Sequence, residues 1–436
     1  MRAFCLAALR IALPCLILTT CFAEVTDENN RYERPNGTWV GNRHDGPAEL
    51  PRRGFYTPVS ATPSPGATLI VDGTTSLGHY ATLDAAYTAA NCGDTIKIDP
   101  AFVADEGHYI TMSKRCDAAH WLTIRTSASD TALPPESTRL TPCFAGYSHA
   151  TDLAAPLPGM PTYPCANPVR LIPQIVKTKY ITNPCPVPQG CTGEDGPIVV
   201  AGATYHRLIG LEIMPDGTPG GVVLNLVDIG ETTSHIIFDR IWIHGDAVQD
   251  TRVGVSFAGN YIALIDSYIN DVHCQVNAAG CTEGKAIAGG NVRTATGTWK
   301  LVNNLISGGS ENLIFGGANC STGCPYDPSD IEIRRNHFYK PHVWRSGDPN
   351  QVFGNWAHCG PSHDQPCPFN VKNIFELKVG VRVLVEGNVL DHAWRCGIGA
   401  TCNAQGDQMG CPSDTEYINW GISTARAEAS GWDFVK

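Results

Sequence analysis

The second half of the chain repeats one phrase with variations: HRLIGLEIMPD, SHIIFDRIWIHGD, NYIALIDSYINDV, GTWKLVNNLISGG, SDIEIRRNHFYKP and GVRVLVEGNVLDHA. Each is a run of alternating apolar residues, a small or polar residue at a turn, and one more apolar pair. Aligned on the turn, the anchors are Leu211, Arg240, Ser267, Asn304, Asn336 and Asn388, separated by 29, 27, 37, 32 and 52 residues. Two-residue alternation recurring at such a period means stacked strands, one supersecondary unit per repeat. A second, shorter strand precedes most of them: VVLNLVDIG, VGVSFAG, KAIAGG, NLIFGG and NIFELKVG. Two or three short strands per repeat, with glycine at the corners and no long helices between, predict an all-β fold, a right-handed parallel β-helix. Propeller blades would need four strands and about forty residues each, and leucine-rich repeats a regular leucine consensus. In a solenoid the stacked coils bury a continuous core and push insertions outward at the turns. The 52-residue step between Asn336 and Asn388 holds such an insertion, at about 341–371.

The start of the chain predicts export from the cytoplasm. Residues 1–23 combine Arg2, an apolar stretch from Leu6 to Leu18 and a terminal Ala23, the layout of a secretory signal peptide too short to span a membrane. A secreted or periplasmic protein is expected, with no transmembrane segment. Leu18-Thr19-Thr20-Cys21 is a weak match to a lipoprotein box, which would instead anchor the chain at Cys21; Thr before the cysteine fits it poorly. Of the 18 cysteines, most beyond the signal form near-neighbour pairs: Cys185/Cys191, Cys274/Cys281, Cys320/Cys324 and Cys359/Cys367, with Cys92/Cys116 and Cys143/Cys165 as longer bridges. After an export signal these read as disulfides. Cys396, Cys402 and Cys411 make an odd trio that leaves one thiol over. Zinc would need Cys and His clusters that the spacing lacks. The formal charge of −11, or −13 without Arg2 and Arg10, argues against nucleic acid as a partner.

Residues 24–66, rich in Pro, Gly and Arg, read as a polar arm or linker. The solenoid spans 67–395 and opens on TLIVDG. Tyr80, Leu83, Ala86, Tyr87 and Ala90 then have helical spacing, predicting a short helix that caps the first coil before a strand at Thr95–Ile98. A Pro- and Cys-rich stretch at about 127–196 reads as loops inserted into early coils, and 396–436 as a C-terminal tail or cap. The Leu-x-x-Ala…Gly-Asp-Thr-Ile stretch, with the coils that follow it, resembles secreted bacterial β-helix proteins of the pectate-lyase-like superfamily. The segments GSENLIFGGAN, PSDIEIRRNHFYKP and KNIFELKVGVRVLVEGN look like a bacterial branch of that group. The resemblance covers roughly 68–394 and implies the fold. It leaves activity open, because the superfamily hosts lyases, hydrolases, epimerases and non-enzymes.

Asn304, Asn336 and Asn388 read as structural, since Asn tolerates the left-handed backbone of a tight turn and stacked amides can bond from coil to coil. The same alignment sets Lys300 beside Glu332 and Arg334 beside Glu386 as ion pairs on a solvated face. Candidates for chemistry gather later. Lys340, His342 and Arg345 leave the Asn336 turn into the loop that carries Asp348 and His363. Alternation sends Ile333, Phe375, Leu377, Val383 and Val385 inward and sets Glu376 and Lys378 on the outer surface; Glu311 opens the equivalent strand one coil earlier. Basic residues beside carboxylates suit a uronic-acid glycan. A lyase neutralises the uronate carboxylate with Arg, Lys or Ca²⁺ and removes the proton of the neighbouring carbon with a positioned base. The expected groove has Arg345 and Lys340 on the carboxylate, Lys378 as proton acceptor and Glu376 holding it. Glu311, His342, Trp344 and Trp356 would bind the sugar. A monomeric polysaccharide lyase is one reading; a non-catalytic glycan-binding or adhesin-like solenoid is the second, and a glycoside hydrolase the third. The hydrolase reading lacks the Asn-Thr-Asp, Gly-Asp-Asp and Gly-His-Gly set of polygalacturonase-like β-helices, leaving only Ile243-His244-Gly245-Asp246 and an isolated Asp266.

Overall fold

The computed structural model describes residues 51, 55–147, 165, 167–177, 195–217, 222–246, 249–275, 281, 283–290, 292–316, 326–344, 348–349, 351–359, 365–372, 374–391 and 434–435. All lie in the compact unit Gly46–Lys436. Three parallel sheets of eleven, eight and seven strands run along it, and successive coils visit them in turn. One coil is Ser234–Asp239, Trp242–His244 and Val253–Phe257; the next is Asn260–Ile265, Tyr268–Val272 and Lys285–Gly289. Gly297–Val302, Leu305–Gly308 and Glu311–Phe315 follow, and then Ser329–Arg334, His337–Tyr339 and Phe375–Leu377. This is the expected parallel β-helix. Inward-facing residues such as Ile262, Leu264, Trp299, Leu301, Ile331 and Ile333 form one continuous core along the stack. Phe375, Leu377 and Val383 are buried in it, and Val385 packs against it part-buried.

The capping helix forms at Leu83–Ala89, with the Thr82 hydroxyl accepting from Ala85 N–H at its N-terminus. Leu83, Ala86, Tyr87 and Ala90 close the first coil. Disulfides join Cys92 to Cys116, Cys143 to Cys165 and Cys274 to Cys281, and Cys367 is disulfide-bonded as well. Cys185, Cys191, Cys320, Cys324, the late trio and the Cys359 side chain lie outside the described residues.

The turn column needs two corrections. Pairing of Glu212 with Trp242 and of Trp242 with Tyr268 makes Ile241, not Arg240, the partner of Leu211 and Ser267. The left-handed residues are those just before the asparagines: Asn303 (φ 59°), Arg335 (φ 53°) and Gly387 (φ 60°), with Arg240 (φ 50°) and Asp266 (φ 53°) in earlier coils. The asparagines instead hold the turns together. Asn336 Oδ1 accepts from Asn304 N–H at 2.9 Å and from Asn304 Nδ2 at 3.0 Å, and Asn388 Oδ1 does the same for Asn336.

From Phe55 onward the arm lies across the outer face of the eleven-stranded sheet. Arg207 donates to Thr57 O (2.8 Å), and Lys300 Nζ donates to Phe55 O (3.3 Å). The Lys300–Glu332 register holds, but Lys300 bonds the arm while Glu332 takes Arg334 at 2.8 Å. Residues 133–147 cover the eight-stranded sheet in the same way, packing Leu133, Leu140 and Ala145 on Trp242, Tyr268 and Leu305.

Candidate functional site

With those two faces covered, the charged groups without a plain structural task gather where the eight-stranded sheet turns into the seven-stranded one. The turn Gly308-Gly309-Ser310 joins the strands Leu305–Gly308 and Glu311–Phe315. Glu311 therefore opens its strand at the corner, and in-register pairing stacks it on Lys285 of the preceding coil. Residues 369–372, the returning end of the long insertion, lie over the corner: Asn370 N–H donates to Cys274 O and Lys372 N–H to Ser310 O.

Glu311 is 1% exposed, and neither carboxylate oxygen accepts a hydrogen bond among the described residues. Its nearest cation is Lys372, with Nζ 3.3 Å from Oε1. Lys372 makes its hydrogen bond to Glu283, which also takes Lys285 at 2.8 Å. Below the turn, Lys340 is fully buried and donates to Gly308 O (2.7 Å), Gly309 O and Ser310 O (3.3 Å).

Burial pushes the Glu311 carboxyl above the usual range, and Glu283 adds to this against the pull of Lys372, Lys285 and Lys340. Burial likewise draws the Lys340 ammonium down to about 7, against the pull of Glu311. Glu283 is part-buried, yet hydrogen bonds from Lys285 and Lys372 hold it down at about 2. Lys372 is raised because Glu311 and Glu283 outweigh its own partial burial. The cluster holds three lysines and two glutamates. One positive charge is left over whether Glu311 and Lys340 are both ionised or both neutral, on a chain of formal charge −11.

Several expected site residues stand elsewhere. Lys340 is buried beneath the turn and cannot meet substrate as placed. Trp344 is 4% exposed and packs with Val343, Phe369 and Val371, edge-on to His273 at 5.6 Å, so it offers no ring face to a sugar. Glu376 does lie on the outer face, between inward Phe375 and Leu377, but it is 6% exposed rather than open. Lys378 Nζ is 2.8 Å from it. Glu376 is paired with Ile314, three residues along from Glu311, so the two carboxyls are roughly 10 Å apart along the strand direction. His342 is part-exposed; Arg345, His363 and the Trp356 side chain lie outside the described residues. His244 and Asp266, the fragments of a hydrolase set, are buried. His244 stacks on Trp242 with Nε2 3.3 Å from Glu212, and Asp266 takes Asn303 Nδ2 and Ser137 N–H. Among the described residues no three His, Cys, Asp or Glu side chains converge as metal ligands.

Sequence reading missed Glu283, Lys285 and Lys372. Aligning KAIAGG on NLIFGG by their terminal glycines sets Lys285 over Asn312, one residue off its true partner Glu311; Lys372 sits at the end of an insertion, where no period reaches it. One aromatic group is also excluded as a sugar platform. Tyr205, His235 and Tyr261 stack on one another with centroids 4.2 and 4.3 Å apart. Phe55 and Trp121 close their edges, so the ring faces are already in use.

Solved structures similar to this chain include a pectate lyase, with a TM-score of 0.41 and 11% identity over 79% of this chain and 74% of that one. An alginate lyase from Paenibacillus sp. follows at a TM-score of 0.34 and 15% identity, covering 74% of this chain and 95% of that one. A rhamnogalacturonan lyase has a TM-score of 0.32 and 11% identity, covering 75% and 73%. No family model matches the chain, and no curated protein matches it.

Proposed function

We propose that the protein binds an acidic polysaccharide at the Glu311 corner and cleaves it by β-elimination. The observation that carries this reading is Glu311, a carboxyl 1% exposed that faces a rim cation, Lys372 Nζ, at 3.3 Å. Burying a carboxyl with so little compensation is costly, and a packed apolar residue would serve a purely structural corner better. A carboxyl raised toward neutrality is suited to proton transfer, and the part-exposed Lys372 and Lys285 around it suit a uronate carboxylate.

In this reading Lys372 and Lys285 take the carboxylate, which acidifies the C–H bond beside it. As Lys372 swings onto the substrate carboxylate it uncovers Glu311, closed at 1% exposure in the free protein, and the ionised Glu311 accepts that proton. The released electron pair forms the carbon–carbon double bond as the glycosidic C–O bond breaks, and the protonated Glu311 returns its proton to the departing oxygen. The Glu376–Lys378 pair lies about three residues farther along the strand direction, on the outer face, and is assigned to the neighbouring sugar.

The test is incubation with a panel of uronate polysaccharides while following absorbance of the unsaturated product, which neither hydrolysis nor binding generates. Glu311→Gln should lower kcat by about 10²–10⁴ with KM little changed. Lys372→Ala should raise KM. Product release without the absorbance rise would make the protein a hydrolase, and retention of an acidic glycan without cleavage would make it a binding module.

A further inference from the structure

The sequence placed Lys340 on the substrate, and its burial removes it from there. What it does instead follows from its three partners. A buried ammonium must fill its hydrogen bonds or pay a heavy desolvation penalty. The three N–H bonds of Lys340 meet the carbonyls of Gly308, Gly309 and Ser310, the three residues that immediately precede Glu311. The turn is pinned from above as well. Lys372 N–H donates to Ser310 O at 3.1 Å, and Ser310 Oγ accepts from Gly284 N–H and donates to Asn370 O, both at 3.2 Å. A Cβ on Gly309 would come within 2.9 Å of Asn370 O, and one on Gly308 within 2.5 Å of Glu311 O. The turn thus has no room for a side chain at Gly308 or Gly309, and its three carbonyls are gathered on the cation below it.

We propose that Lys340 is the positioning residue of this site, clamping the 308–310 turn that aims Glu311 and supplying the buried positive charge against which that carboxyl ionises. This rests on the reading of Glu311 as the proton-transferring group. The other charges facing Glu311 are Lys285 and Glu283 from the preceding coil and Lys372 from the returning insertion. Lys372 is the strongest of the cations on Glu311, but its side chain is 36% exposed and stands at the rim. An anionic ligand would draw on its charge. Lys340, at 0% exposure, is out of reach of any ligand and stays with Glu311 when the rim is occupied.

The experiment is a carbon-13 NMR titration of the Glu311 side-chain carboxyl in the full-length protein, alongside nitrogen-15 detection of the Lys340 ammonium. In the wild type the two groups should titrate as a coupled pair, with the Glu311 signal moving a second time near pH 7 as Lys340 loses its proton. Lys340→Met should raise the Glu311 midpoint by roughly one pH unit and speed amide exchange at Ser310 and Glu311. Lys340→Arg, which keeps the charge, should restore the midpoint. A midpoint unmoved in Lys340→Met overturns the proposal. Should that variant fail to fold, a single-step Glu311 titration with no response at Lys340 in the wild type overturns it equally. On a cleaved glycan the same shift should appear in the acid limb of the kcat profile while KM holds. A wild type that cleaves no glycan removes the proposed activity and leaves the carboxyl titration to decide the role of Lys340.

Discussion

A histidine sealed inside the N-terminal coils makes this protein sensitive to acid in a way its surface charge does not. His206 is 0% exposed. The Tyr87 hydroxyl accepts from Ser113 and Lys114 N–H, so its own hydrogen goes to His206 Nε2 at 3.1 Å, and Nδ1 then donates to Thr204 O at 3.0 Å. Both ring nitrogens are occupied in the neutral form, and a second proton has no acceptor. Burial accordingly draws the pKa from 6.5 down to about 4, against the smaller pull of the Thr204 carbonyl. The unfolded chain therefore binds the proton first as pH falls. Stability is full above about pH 6.5 and is lost progressively toward pH 4, on the order of 2–3 kcal/mol. Thermal melts across that window should show a steeper decline for the wild type than for His206→Gln, and parallel declines would remove His206 as the cause. Lys340 and Trp344 show why single residues were the least legible level of the sequence. Each follows a strand end, where alternation stops, and nothing in the local pattern says whether a turn residue points to water or beneath the next turn. Glu311 was placed correctly at the start of its strand, but its burial depends on Lys372, which arrives from the far side of an insertion.

At the level of elements the period was legible because a solenoid enforces it. Each strand must present the same alternation to the same core, and the pairing of Ile306 with Phe338 or of Ile331 with Val383 repeats that demand coil after coil. The one-residue slip at Arg240 has a physical origin. Left-handed residues precede the turn column, and in that coil the left-handed position is filled by Arg240, whose polar side chain imitates the ladder residue after it. The asparagine ladder is what the elements share, and Asn336 is its centre. Its amide nitrogen donates to Leu301 O at 2.8 Å and to Asn388 Oδ1 at 3.0 Å, while its oxygen receives both Asn304 donors. Asn336→Ala leaves several buried groups unpaired and should cost roughly 2–5 kcal/mol, read as a lowered urea midpoint at constant m. Because Asn304 loses its partner in that variant, adding Asn304→Ala should cost less than it does alone, with a coupling of about 0.5–3 kcal/mol. Strict additivity would mean the ladder is a row of independent turns.

For the whole molecule the decisive feature is the course of residues 55–62, which carry no periodicity and read from sequence as a polar arm or linker with no stated path. In a solenoid each repeat touches only its neighbours, so damage at one end should stay there. The arm breaks that rule. Gly66 bonds the coil of Asp94, Ser64 bonds Trp121 O, Thr57 and Thr62 receive Arg207, the Phe55 ring meets His235 and Tyr261, and Phe55 O receives Lys300. It therefore runs back along the stack across six successive strands of the eleven-stranded sheet, from Thr95–Ile98 to Gly297–Val302. Buried Arg207 keeps Asp239 at 2.6 Å but depends on the arm for its other hydrogen bonds, and Phe55 seals Ile237 and Ala263 from water. Removing residues 24–62 should therefore loosen the middle of the solenoid and not only its N-terminal coils. Hydrogen–deuterium exchange should speed up in Ser234–Asp239 and Asn260–Ile265, while Ser329–Arg334, one strand past the Lys300 contact of Phe55, keeps its wild-type rate. If the accelerated exchange stops at Leu122–Thr126, the arm is a local cap, and the stack obeys nearest-neighbour behaviour after all.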